Sequence, residues 1–303
     1  MDSYSADSIP DLSGTTAVVT GANSGLGLQT ALILASKGAR VDMACRDRQR
    51  GAAARERVRR ETGNPEVNLR QLDLASLESV RRFAADQDGP VDLLINNAGV
   101  MATPHRITAD GFELQFGVNH LGHFALTGLL LPALRRAPAP RVVTVSSLAH
   151  RGGRIDFEDL AAQRRYRPWA RYNQSKLANL LFTLEFQRRL TAHGDKLLAV
   201  AAHPGFANTN LTSGMNHPAT LDILGTFFRL LGQSGAAGAL PTLYAATAPG
   251  IHGGEFYGPG GPGQLRGRPV LVTPAPQALD QGTARRLWDV STELTGVRFP
   301  GLG

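Results

Sequence analysis

The chain has 303 residues, 42% hydrophobic and 19% charged, so it can bury a sizeable core and is not a disordered segment. One cysteine, Cys45, excludes an internal disulfide scaffold, and no run approaches the roughly 18 uninterrupted apolar residues of a membrane span. The net charge of +7 is carried almost wholly by arginine, the only lysines being Lys37, Lys176 and Lys196.

The polar start Met1-Asp-Ser-Tyr-Ser-Ala-Asp7 shows no targeting segment, and a soluble, cytoplasmic protein is expected, with residues 1–13 as an N-terminal tail. Thr15–Thr20 is then a short apolar strand, and Gly25–Lys37 a helix ending at Gly38. Arg40–Cys45 is a second strand and Asp47–Glu61 a helix. Arg46, Arg48, Arg50, Arg55, Arg57, Arg59 and Arg60 crowd this region. With no aromatic residues interleaved, they read as a solvated face, not a nucleic-acid surface. Val67–Leu72, Val91–Ile95, Arg141–Ser146 and Leu197–His203 continue the strands; Ser76–Gln87 and about Pro168–His193 continue the helices, and Gly111–Arg136 contains a long apolar helix. Such alternation implies parallel βαβ units under right-handed crossovers, in one domain spanning 1–303. Residues 205–250 lack this rhythm, and about 206–231 read as a lid carrying Leu211, Met215, Leu221, Ile223, Leu224, Phe227 and Phe228. Gly254–Gly258 reads as a last strand and Gln277–Thr295 as a closing helix.

The loop Thr20-Gly21-Ala-Asn23-Ser24-Gly25-Leu26-Gly27 follows a strand and opens a helix, the context in which glycines let a pyrophosphate approach a helix N-terminus. At the end of the second strand, Arg46 would meet a ribose 2′-phosphate, whereas an acid would accept from a 2′-hydroxyl. Asp47 is that rival, but it equally suits the N-cap of the next helix, so NADP(H) is the expected cofactor. Asp73, with Leu74 behind it, and Asn96-Asn97-Ala98-Gly99 follow the third and fourth strands, at carboxyl ends where open α/β sheets bind ligands. Tyr172-Asn-Gln-Ser-Lys176 puts a phenol and an ammonium one helical turn apart. The nearby cation is expected to lower the phenol's pKa and make Tyr172 a general acid or base.

Together, Thr20-Gly-x-x-x-Gly-x-Gly27, Asn96-Asn-Ala-Gly99, Ser146-Ser147 and Tyr172-x-x-x-Lys176 resemble the motifs of a classical short-chain dehydrogenase/reductase. Val118-Asn-His-Leu-Gly-His-Phe124, Ser146–His150 and Gln174–Asn179 are most similar to its retinol dehydrogenase branch. The insertion containing Ile155–Leu160 is also similar to the light-driven protochlorophyllide reductases, although the single cysteine argues against that photochemistry. The resemblance implies a doubly wound Rossmann-type parallel sheet in the order 3-2-1-4-5-6-7 with a substrate lid after the sixth strand. It implies reversible hydride transfer between NADP(H) and an apolar carbonyl or alcohol. Ser147 would bond the substrate oxygen, Tyr172 pass the proton, Lys176 tune Tyr172 and hold the nicotinamide ribose, and Asn119 hold a relay water. His203, Pro204, Gly205 and Thr209 would border the nicotinamide, with no metal site. A non-catalytic cofactor sensor of the same fold would usually lose the tyrosine or the lysine; both are present here. Self-association is left open, since the Leu177–Leu184 face suits a core or a subunit contact.

Overall fold

Val18, Val19, Leu94, Ile95, Val143 and Val200 are all fully buried. Apolar, β-branched runs of this kind fit a parallel sheet covered on both faces. The computed structural model describes residues 4–206 and 234–302. Its strands are β1 (Thr16–Thr20), β2 (Arg40–Cys45), β3 (Val67–Gln71), β4 (Leu93–Asn96), β5 (Arg141–Val145), β6 (Leu198–Ala202), β7 (Phe256–Pro259) and β8 (Pro269–Leu271). They form one sheet in the order 3-2-1-4-5-6-7-8. β1 to β7 are parallel, with β1 flanked by β2 (Val18 opposite Asp42) and β4 (Val18 opposite Leu94). β8 pairs antiparallel with β7, so the sheet gains an edge strand beyond the expected parallel set. Three residues beginning with a proline carry almost no alternation to read, and proline is tolerated at such an edge.

One face of the sheet is covered by α1 (Gly25–Ser36), α2 (Arg48–Thr62) and α6 (Gly235–Thr247), packed on Ala17, Val19, Val41, Met43 and Ile95. The other is covered by α3 (Leu77–Ala85), α4 (Gly122–Arg136) and α5 (Pro168–Ala192), packed on Val18, Ala44, Leu94 and Val142. Odd and even residues of β1 thus enter different cores. α6 lies in the stretch that lacked a legible rhythm, because Gly235, Gly238 and Pro241 interrupt an otherwise apolar helix with no polar face. The lid expected from 206 to 231 lies, beyond Phe206, outside the described residues.

The closing helix α7 (Gln281–Thr295) starts later than the sequence suggests, after a 3-10 turn Pro276–Leu279 and an Asp280 N-cap that accepts from Thr283 N. Its Trp288 stacks on Phe182 at 6.0 Å and meets Phe124 edge-on at 5.2 Å. Of the leucine face of α5, Leu177, Leu180 and Leu181 are buried within the chain's own core, whereas Leu184 is only half-buried. The N-terminal stretch also packs from Tyr4 onward: Ile9 and Leu12 are buried, and Leu12 N donates to Lys37 O at 2.7 Å. The long apolar helix expected within Gly111–Arg136 is α4, preceded by a short turn Leu114–Phe116 and a π turn Gly117–Leu121. Apolar periodicity does not report an i→i+5 insertion, which is a common device at functional sites.

Candidate active site

Between β1 and β4 the strand order reverses, and helices leave to opposite faces, which opens a crevice at the carboxyl ends. Gly21 and Gly25 have φ of 66° and 54°, left-handed conformations that favour glycine. A Cβ on Gly27 would lie 2.5 Å from both Asn97 Nδ2 and Gly21 O, so backbone and amide close-pack where only hydrogen fits. The loop after β4 is tied to the end of β1. Asn97 Nδ2 donates to Thr20 O at 2.8 Å, and the amides of Asn97 and Ala98 both donate to Thr20 Oγ1 at 2.9 Å. Asn96 turns away and donates to Thr127 Oγ1 at 3.0 Å. Ser24 stands at the N-cap of α1 with no side-chain cap bond, which leaves its hydroxyl to the crevice.

A cavity of about 530 Å³ runs along this crevice. It brings together Gly21, Asn23, Ser24, Gly25, Leu26, Gly27, Arg46, Asp73, Leu74, Asn97, Ala98, Gly99, Ser147, Tyr172, Lys176, Pro204 and Gly205. Asn119 sits behind its wall, fully buried, and Thr209 lies outside the described residues. At the outer end, Asp47 caps α2 by accepting from Arg50 N at 2.9 Å. Arg46 and Arg50 both line the cavity there. Asp73 is partly engaged in its own turn, Oδ1 accepting from Ala75 N at 2.9 Å.

At the inner end, Tyr172 and Lys176 project from the first turns of α5, and Ser147 follows β5 as the cap of a short 3-10 turn. Lys176 Nζ donates to Val145 O at 3.1 Å and stands 5.8 Å from the centre of the Tyr172 ring. Burial pushes the Tyr172 phenol up to about 12, against the lowering pull of its hydrogen bond with Ser147. Burial also pushes the Lys176 ammonium down to about 8. The expected lowering of the phenol by the neighbouring cation is therefore overturned: loss of water on burial dominates. At neutral pH the pair is a neutral phenol beside a cation, a proton donor with its counter-charge in place.

Asn119 lies in the π turn. Its Oδ1 accepts from Val100 N at 2.8 Å, and its Nδ2 donates to Val100 O and Ser175 Oγ at 2.9 Å each. His203 Nδ1 accepts from Gly205 N at 3.1 Å, and among the described residues no group of three His, Cys, Asp or Glu could hold a metal ion.

The sequence reading missed several lining residues, among them Arg50, Met101, Ala149, Trp169 and Leu265. Trp169 meets the Tyr172 ring edge-to-face at 6.2 Å, and its spacing three residues before Tyr172 was a usable signal. Leu265 comes from the β7–β8 connection, and its carbonyl accepts from Phe206 N at 2.7 Å; nothing local in the sequence marks it.

The model of the short chain dehydrogenase family matches residues 15–219. The chain belongs to the short chain dehydrogenase family. It is 47% identical over 299 residues to human (Homo sapiens) retinol dehydrogenase 13, covering 95% of this chain and 87% of that one. It is 42% identical over 293 residues to human retinol dehydrogenase 12, covering 95% and 88% respectively. The solved structure of an uncharacterized protein from Mycobacterium paratuberculosis superposes with a TM-score of 0.84 at 48% identity, covering 99% of this chain and all (100%) of that one. This dehydrogenase falls in the retinol dehydrogenase-like branch and is a hydride-transfer oxidoreductase using a nicotinamide cofactor. Among the described residues no helix is long and apolar enough to cross a membrane.

The buried lysine makes stability depend on pH. Its folded pKa lies below the ordinary 10.5, so from about pH 8 upward the unfolded chain holds more protons and the fold gains stability with rising pH. Between pH 8 and 10 the wild type is expected to gain about 2 kcal/mol relative to Lys176→Met. Urea unfolding of both proteins across that range checks this; parallel curves would contradict it.

Proposed function

We propose that this dehydrogenase interconverts an apolar alcohol and its carbonyl compound with NADP(H). The observation that carries the reading is one continuous cavity. It joins the glycine loop and the Arg46–Arg50 end to the Tyr172 phenol and the Lys176 ammonium. Arg46 and Arg50 offer always-charged donors suited to a ribose 2′-phosphate; Asp47 lines the same end, with one carboxylate oxygen engaged as a helix cap. The glycine loop and the amides at the start of α1 would hold the pyrophosphate, with Asp73 and Leu74 beside the adenine. Pro204, Gly205 and, by family resemblance, Thr209 would border the nicotinamide.

The nicotinamide supplies or accepts the hydride when bound. Ser147 and Tyr172 hydrogen-bond the substrate oxygen from one side, which polarises a carbonyl before reduction. Tyr172 then gives its proton to the forming alkoxide, or takes one from the alcohol in the reverse direction. Lys176 stabilises the phenolate that results, which makes the buried phenol a usable acid where charge develops. Asn119 Oδ1 and Lys176 Nζ would stand 3.3 and 3.5 Å from a Cβ on Gly99, so both face the same small space. There Asn119 would hold a relay water. Met101, Leu148, Ala149, Trp169 and Leu265 give the substrate end an apolar lining. That lining, with relatives named retinol dehydrogenases, supports a long apolar alcohol or aldehyde of retinol's kind.

Replacing Tyr172 by Phe is expected to cost at least about a hundredfold in kcat while NADPH affinity changes little. Steady-state rates on an apolar aldehyde, with calorimetry for the cofactor, check it; a near-wild-type kcat would remove Tyr172 from the chemistry. Arg46→Ala is expected to weaken NADPH by about 1.5–3 kcal/mol and NADH much less. Titration of both cofactors decides it, and equal losses would transfer the ribose site to Asp47.

A further inference from the structure

His120 and His123 occupy one sequence motif and both are fully buried, yet they face different parts of the molecule. His120 lies among Phe116, Phe124 and Phe182, and its Nε2 is 2.9 Å from Ser291 Oγ on α7. His123 instead spans the two halves of the crevice: Nδ1 is 3.0 Å from the backbone carbonyl of Asn119, and Nε2 is 2.9 Å from Thr20 Oγ1.

The partners fix the proton positions. A carbonyl can only accept, so Nδ1 carries the hydrogen and donates to Asn119 O. Burial pushes the ring's pKa down to about 4, with the Lys176 cation adding to the lowering, so the imidazole is neutral and Nε2 is bare. Nε2 must then accept, and Thr20 is the donor beside it. The Thr20 oxygen is already an acceptor for the amides of Asn97 and Ala98. The other acceptor near its proton, Ile95 O, is longer at 3.2 Å and already takes a bond from Asn97 N. The Thr20 hydroxyl and the His123 tautomer therefore have one mutually satisfied arrangement.

We infer that His123 is a positioning residue, a buried strut that holds the cofactor-side loops through Thr20 and the proton-transfer end through the Asn119 backbone. At one end, Thr20 carries the amides that seat the loop Asn97-Ala98-Gly99 against the glycine loop. At the other, Asn119 is bonded to Val100 and to Ser175, whose hydroxyl donates to Tyr172 O at 2.8 Å on the helix that carries Lys176. The inference rests on the cofactor reading proposed above.

Two conservative variants separate the ends. His123→Gln places an acceptor where Nε2 was and leaves Asn119 without its donor. His123→Asn keeps a donor near Nδ1 and leaves Thr20 only the longer bond to Ile95 O. The losses expected are about tenfold each, the scale of one buried hydrogen bond. Gln is expected to retain NADPH affinity and lose kcat; Asn is expected to retain kcat and lose NADPH affinity. His123→Leu is expected to lose both, whereas His120→Leu lowers the unfolding midpoint and leaves both unchanged. Calorimetric NADPH affinity, kcat and thermal midpoint are measured for all four variants. The same losses in Gln and Asn, or kinetic losses in His123→Leu no larger than in His120→Leu, overturn the strut. A wild-type protein that binds neither NADPH nor NADH overturns the cofactor reading and the strut with it.

Discussion

Two backbone amides converge on one hydroxyl at the carboxyl ends of β1 and β4, and the rest of the site is built outward from that bond pair. Thr20 Oγ1 takes the amides of Asn97 and Ala98 at 2.9 Å each, and the Asn97 side chain closes the gap through Thr20 O at 2.8 Å. This contact exists because β1 and β4 are neighbours in space while the chain departs from them in opposite directions. It holds the glycine loop and the Asn97–Gly99 loop at a spacing that leaves no room for a methyl group at Gly27. The glycine-loop surface and an approach to Tyr172 are thereby fixed by the sheet and not by flexible side chains.

The chemical end depends on α5 being held still. Its start is pinned by Arg171, whose guanidinium donates to Asp159 Oδ2 at 2.8 Å and to the carbonyls of Asp159 and Arg165. Its middle is clamped by α7 through Phe182, Phe186 and Trp288. Rigid seating of this kind is what permits a buried ammonium and a buried phenol to persist together. Both give up hydration, and the lysine in particular lowers the stability of the fold at neutral pH. Strain of this type at a site is commonly offset by packing elsewhere, here by the aromatic cluster under α7.

Much of this was legible in the sequence because it is local. Glycines flanked by a strand and a helix, and a tyrosine four residues before a lysine, each need only a few consecutive residues to be read. What the sequence did not disclose is set by contacts distant along the chain. Leu265 reaches the cavity from the β7–β8 connection, and β8 is too short to show a period. The π turn at Gly117–Leu121 is invisible to apolar spacing, as is the apolar α6 to a search for amphipathic helices. The phenol pKa of Tyr172 failed for the same reason: the neighbour that raises it is the absence of water, which no single residue encodes.

In the proposed function one crevice delivers a hydride from the nicotinamide to a carbonyl carbon held at Tyr172. Reduction of an apolar aldehyde with NADPH carrying deuterium at C4 tests it most directly. The product alcohol is expected to carry label at the former carbonyl carbon when deuterium is on the transferring face, with label retained in the oxidised cofactor when it is on the other. Alcohol formed without label from either cofactor would contradict it.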